Sequence, residues 1–375
     1  MPRNRVIYQS EALFVATGNI APTANHTSGD IAQLHRVQSA NYGFSISRQN
    51  INQFGNLARI DSILLEAPTV NLDFTYYLHD GTNERLLGFT TGSNTGAGAI
   101  SFVSGLIDTS NVGTLSGRNF HIFTAPEGND ANGLAIGAAN FTGNTASTIS
   151  VGNGFVTNYS VEAAVGAIPT VSVSVEGLNI NVVEGSTGLN PAVTIETSLT
   201  GTNSFVLPPP VTGNVGVSAL RPGDVTMILQ EGILTDLPTG VDNASNTAAH
   251  IQSFSIEVPI GRTSLQRLGN NFGYAKVIDF PVEVTINVSA TVADLKAAGD
   301  LSSVITTDSS KTLTFQFKDP AGINRIVYQV RGAKIVSENF SSSIGDNKSV
   351  DLVFTTQIGG PQDATNGIFV SPGLT

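Results

Sequence analysis

Five histidines, 29 carboxylates and no cysteine bound the chemistry open to this chain. Without a thiol there is no disulfide framework, no thiolate zinc site and no cysteine nucleophile. His79 beside Asp80 has the residue types of a general base and its orienting carboxylate. Neighbours on a strand point to opposite faces, however, so the pair reads as a loop feature. His26, His35, His121 and His250 are scattered, and no HExxH, GxSxG or aspartate-rich calcium loop occurs. The expectation is a protein that is not an enzyme, with no catalytic, metal or cofactor-binding residues and no cofactor. NFT, NYS, NVS, NFS and NKS are formal glycosylation sequons of the kind that asparagine-rich β loops produce by chance.

Charged residues with a pattern are few. Asp73, Glu176, Glu283 and Asp351 each alternate with apolar residues: Val70, Leu72, Phe74 and Tyr76 around Asp73; Val171, Val173 and Val175 before Glu176; Val282, Val284, Ile286 and Val288 around Glu283; Val350, Leu352 and Phe354 around Asp351. Period-two alternation of this kind, rich in β-branched residues and bounded by Gly, Asn, Asp and Pro, is the mark of a half-buried strand. KTLTFQF, with Leu313, Phe315 and Phe317, reads the same way. Helical patterns are short: ATVADLKAAGDLSSV is stopped early by Gly299, and RQNINQFGNLARI spaces Ile51 and Phe54 on one helical face before Gly55. The fold class that follows is mainly β, two tandem β-sandwich or partial-barrel domains with one or two short flanking helices each.

The chain has 375 residues, enough for two or three domains, with 40% hydrophobic and only 13% charged residues. Its formal charge of −11 repels phosphates and excludes a general nucleic-acid binder. The apolar stretches of MPRNRVIYQSEALFVATG are broken by Gln9, Ser10 and Glu11, so no export signal is expected, and no apolar run is long enough for a membrane helix. Residues 92–117, rich in Gly, Ser, Thr and Asn, read as a long flexible loop. The stretch through Pro208, Pro209 and Pro210 interrupts ladder pairing and marks a boundary. Expected divisions are a first β domain over 1–178, a Pro/Gly-rich linker or insertion over 179–214, and a second β domain over 215–375.

Residues 37–56 align without a gap on residues 251–270, with Gln38/Gln252, Ser39/Ser253, Ile46/Ile260, Arg48/Arg262, Gly55/Gly269 and Asn56/Asn270 identical. Later features recur in the same order: GRNFHIFTAPEG resembles SKTLTFQFKDPAG, and NYSVEAAVGAIPTVSVSVEG resembles NFSSSIGDNKSVDLVFTTQIGG. Recurrence in order points to duplication of one β domain. Within the repeat, Gly55 and Gly269 fit a positive φ or close packing, because no phosphate-binding glycine motif surrounds them. Arg48 and Arg262 fit residues that fix a turn or reach a neighbouring subunit, with plain surface solvation as the alternative.

On RVQSANYGFSISRQNINQFGNLARIDSILLEAPTVNLDFTYYL, NYSVEAAVGAIPTVSVSVEG and RNFHIFTAPEGND, the chain resembles the tail tube proteins of tailed bacteriophages and their baseplate-hub relatives. The resemblance covers about half of residues 1–178; the second half matches more loosely and lacks the IPT motif. It implies a structural virion protein of the tail, whose copies form stacked rings around a DNA conduit for genome ejection. With a duplicated domain, three chains would make a homotrimeric ring of pseudo-sixfold symmetry. Implied partners are other copies, a sheath or terminator protein, the baseplate hub, the tape measure protein and, in transit, phage DNA, with no membrane. Asp73, Glu176, Glu283 and Asp351 then become candidates for the channel surface, against the alternative of an ordinary solvated strand face. A hub or tube adaptor, and a two-domain β-sandwich adhesin, are the competing readings. Strands with few lysines and little charge leave sheet edges unprotected, which favours edge pairing between subunits.

Overall fold

A computed structural model describes residues 10–16, 25–65, 67–92, 100–107, 117–125, 129–131, 146–193, 204–209, 220, 221, 223, 225–229, 249–269, 272, 273, 275–292, 310–345 and 347–372. Alternating sequence becomes antiparallel strand along most of it. The first half contains β1 (Glu11–Ala16), β2 (Ile31–Gln33), β3 (Val37–Ser45), β4 (Arg48–Ile51), β5 (Asp61–Leu64), β6 (Thr69–Tyr77), helix α1 (Thr82–Leu87), β7 (Arg118–Thr124), β8 (Ser147–Ala164), β9 (Thr170–Gly177), β10 (Asn179–Glu184), β11 (Thr187–Leu189) and β12 (Ser204–Val206). The second contains β13 (Val225–Leu229), β14 (Ala249–Pro259), β15 (Arg262–Leu265), β16 (Ala275–Ile278), β17 (Val282–Val292), β18 (Lys311–Lys318), β19 (Asn324–Ser341), β20 (Ser349–Ile358) and β21 (Gly367–Pro372).

One pairing scheme is used twice. In the first half β1 pairs β7, β7 pairs β8, β8 pairs β9 and β10, β9 pairs β6, and β6 pairs β3. In the second half the same places are filled by β13, β18, β19, β20, β21, β17 and β14. The hairpins β4–β5 and β15–β16 correspond as well. Register breaks fall at matching points: Val37/Ser39 and Ile251/Ser253, Arg118/Phe120 and Lys311/Leu313, Val156/Asn158 and Ile335/Ser337. Bulges are positional features of a strand pair rather than accidents, so their coincidence is stronger than residue identity.

β8 and β19 are each 18 residues long and turn from one sheet into another at Asn153 (φ 52) and Gly332 (φ 68). Glycine occupies that left-handed region freely and asparagine is the residue that best tolerates it. The early part of each long strand joins β7 and β10, or β18 and β21, and the later part joins the sheet that carries β3 or β14. Folding back this way places apolar faces against each other: Phe120 meets Phe74 (ring centroids 6.2 Å) and Phe315 meets Phe254 (4.3 Å). Each half is thus a sandwich, and among the described residues no barrel closes.

The halves are continuous. β14 pairs β8, giving one eight-stranded sheet in the order β3, β6, β9, β8, β14, β17, β20, β19, and a single apolar cluster runs beneath both units. At their meeting point the hydroxyls of Tyr159 and Tyr328 lie 2.7 Å apart, while Tyr76 (2.7 Å) and Tyr159 (3.1 Å) donate to Oε1 of Glu84 on α1. Burial pushes the Glu84 carboxyl above its ordinary value, and its Oε2 has no hydrogen-bond partner. A carboxyl raised in the folded state costs no stability below its unfolded-state pKa, costs progressively more as pH rises from that value to the folded-state one, and costs a constant amount above it. Glu84→Gln keeps the acceptor and cannot ionise. Its unfolding free energy should match that of the parent below about pH 4, exceed it increasingly as pH rises above that value, and then keep a constant excess once the parent's folded-state carboxyl ionises, read by urea titration across a pH series. A difference that does not change with pH would contradict the assignment.

Four expectations are corrected. RQNINQFGNLARI is not a helix: Arg48–Ile51 is strand β4 in a hairpin, and Gly55 takes φ 92 in its turn. Within residues 92–117 the described part is anchored rather than loose, because Phe102–Leu106 forms a short 3-10 turn whose Phe102 and Val103 are buried. Phe102 stacks on Phe89 at 4.1 Å and meets Tyr159 edge-on at 5.1 Å. Of the linker or insertion expected over 179–214, the described residues 179–193 and 204–209 belong to the first half as an insertion rather than a linker, since β10 pairs β8 along its whole length and Phe205 is buried there. The sequence pairing of NYS with NFS is two residues out, because the shared bulge places Asn158 at Ser337. The helical pattern over 290–304 opens on the last three residues of β17, and the rest of it lies outside the described residues; helices flank the first half alone among the described residues.

Candidate functional site

Strand alternation gives the eight-stranded sheet one buried face and one polar face. Cross-strand neighbours define the polar face: Asn41, Asp73, Ser174 and Asn158 form one row, and Ser160, Glu257, Thr285 and Thr355 another. Asp73, Glu176, Glu283 and Asp351 all lie on it, as do Glu162 and Glu257. Asp73, Glu162, Glu257, Glu283 and Asp351 are exposed, whereas Glu176 is ion-paired to Lys276 of β16. Lys334 is the basic residue carried by these eight strands on that face among the described residues. A groove of about 330 Å³ crosses the polar face beside Glu162, Ser255, Asn287 and Asp351. Glu162 and Glu257 were missed in the sequence, although Glu257 stands between Ile256 and Val258 in an alternating run.

The joint between the halves is a strand ladder reinforced by a hairpin. Ser255 lies opposite Glu162, Ile256 opposite Val161 and Val258 opposite Tyr159, and Ile260 N–H donates to the Thr157 carbonyl (2.8 Å). Arg262, at the start of β15, donates from Nε to the Val156 carbonyl (3.1 Å), with its guanidinium 5.3 Å from the Phe155 ring centroid. Burial lowers the Arg262 pKa to about 10, with the nearby Glu176 carboxylate opposing the shift. Lys276 also faces Phe155, at 5.6 Å. Arg262 therefore fixes the contact between the two repeats inside one chain, through the packed cation and planar donor geometry that lysine does not supply.

Arg48, its counterpart, stands exposed on the hairpin β4–β5. Gly55 and Gly269 occupy the two hairpin turns with φ 92 and 90 and open space where a Cβ would be, so backbone conformation alone calls for glycine. At the outer edges of the sheet, β3 pairs only β6, and residues 334–341 of β19 pair only β20, among the described strands.

The histidines are placed by packing. His79 and Asp80 follow β6 in a loop, with Nε2 3.1 Å from Oδ1, and burial lowers the His79 pKa to about 4, so the ring is neutral at pH 7. His121 and Ser150 face each other across β7 and β8 with Nδ1 2.7 Å from Oγ, but both are sealed beneath Phe205. A nucleophile and base at bonding distance are of no use to a substrate that cannot reach them. Among the described residues no group of three His, Asp or Glu gathers to hold a metal, and no helix is long and apolar enough to cross a membrane. A scan against protein-family models and a search of the curated proteins found no match to this chain.

Proposed function

We propose that the chain is the structural subunit of a bacteriophage tail tube, joining its own copies laterally into stacked rings around an acid-coated bore that conducts DNA. The observation that carries the reading is the single sheet made of two equivalent four-stranded units, open at both outer edges among the described strands and carboxylate-bearing on its solvent face. An isolated β protein protects its edges with charge, proline or a covering element. Here β3 presents VQSANYGFS, with no charged residue, and leaves its apolar side uncovered. A conduit for a polyanion should repel it everywhere and grip it nowhere, and polar hydroxyls and amides interspersed with Asp73, Glu162, Glu257, Glu283 and Asp351 meet that demand.

Negative-stain microscopy of the purified protein tests the reading. Rings or tubes with a central hole are expected. Single rings that never stack would favour the hub or adaptor alternative, and a dispersed monomer at high concentration would overturn self-assembly altogether.

A further inference from the structure

Each chain holds one completed joint and the two separate flanks of another. In the completed joint the apolar side of β14 and its hairpin is fully covered: Ile256, Val258 and Ile260 are 0% exposed and Ile278 is 9%. The first-half equivalents, matched through the shared ladders and bulges, are Tyr42, Phe44, Ile46 and Leu64. These are 44%, 63%, 41% and 48% exposed. Residue type does not explain the contrast, because both sets are apolar. What differs is the second neighbour: β14 has β8 on the edge away from β17, whereas β3 has no strand on the edge away from β6 among the described strands. At the far end of the sheet, Ile335–Ser341 of β19 takes the place that Val156–Glu162 of β8 holds in the completed joint, with the same bulge and, among the described strands, no ladder on its outer edge.

We infer that a second copy of this chain closes the open joint, its β19 lying antiparallel to β3 in the register that β8 adopts with β14. Asn41 then faces Ser341, Tyr42 faces Phe340, Gly43 faces Asn339, and Phe44 faces Glu338. Arg48 takes the place of Arg262 and reaches the carbonyl of Ile335, the counterpart of Val156. The register is not arbitrary: a slip of one residue would turn the apolar side of β3 to the polar face. A second copy is the occupant because the chain itself carries both flanks, whose repeat counterparts β14 and β8 pair with each other in the joint between its halves. This inference rests on the tube reading and names the contact through which it operates.

The chain has no cysteine, so engineered pairs report without background. Asn41→Cys and Ser341→Cys in one chain lie at opposite ends of eight strands, roughly 34 Å apart at about 4.8 Å per strand, too far to link within a molecule. Mild oxidation should give a ladder of covalent multimers on non-reducing gels. The shifted pair Asn41→Cys with Phe340→Cys, whose side chains leave opposite faces, should link at least ~10-fold less. Rings seen by microscopy together with equal linkage of both pairs, or with none for Asn41/Ser341, would overturn the register and leave the tube reading standing. Absence of any ring from the unmodified protein would overturn the tube reading, and the register with it.

Discussion

Phe44→Asp should abolish ring assembly while leaving the fold of the isolated chain intact, whereas Val258→Asp, the same change at the equivalent place in the second repeat, should unfold it. Phe44 is 63% exposed on a strand whose outer edge has no partner among the described strands, so a carboxylate there is hydrated and the unfolding free energy should change by no more than about 0.5 kcal/mol. In the assembled ring that carboxylate would be desolvated and set opposite Glu338, a like charge, so association should weaken by at least ~100-fold. Val258 is 0% exposed, with Tyr159 opposite it on β8, and an unpaired charge there should cost about 4 kcal/mol or more. Sedimentation velocity and urea unfolding separate the two outcomes. Equal stability losses at both positions would mean that β3 is covered within the chain, and rings formed by the Phe44 variant would remove β3 from the interface.

Reversing the charge of the solvent face should turn a surface indifferent to DNA into one that holds it. Asp73→Lys, Glu283→Lys and Asp351→Lys together change each chain by two charges per site against a formal total of −11, and all three side chains are exposed on one face. Lysines along a bore neutralise phosphates and release their counterions, so affinity should rise by ~100-fold or more at low salt and fall steeply as salt increases. Filter binding over a salt series, with microscopy to verify ring formation, provides the measurement. Intact rings of the variant that ignore DNA would place these carboxylates outside the bore. Rings of the parent that bind DNA tightly would remove the conduit role.

Much of this was legible in the residues, and what was not had physical causes. β6, β9, β17 and β20 followed from alternation that the burial pattern repeats position by position, as in Val70, Leu72, Phe74 and Tyr76 inward against Asn71 and Asp73 outward. RQNINQFGNLARI misled because Ile51 and Phe54 are three apart, a spacing that suits a helix, although Phe54 packs against nothing and is fully exposed in the hairpin. Phe102 and Val103 were hidden in a Gly- and Ser-rich stretch because two anchoring residues have no period to detect. The two-residue error between NYS and NFS preserved every inward and outward assignment, as any even slip along a strand must. The equivalence of β10 with β21 leaves only two identities, Ile180/Ile368 and Val182/Val370, too few to detect along the sequence, and became visible through the ladders on β8 and β19.

The clamp inside the chain is copied only in part between chains: Arg48 would repeat the backbone contact of Arg262 but not its aromatic and ion-paired surroundings. Arg262 sits with Phe155, and Lys276 with Glu176, where the matching positions across the open joint hold Arg48, Lys334, Ser62 and Thr355. A wall of such subunits would alternate tight seams with looser ones, and would come apart into whole chains. Tandem fusion also changes how construction proceeds. Single-repeat subunits must find every neighbour by collision, whereas in such a wall this polypeptide would settle half of its seams while it folds, before any two molecules meet.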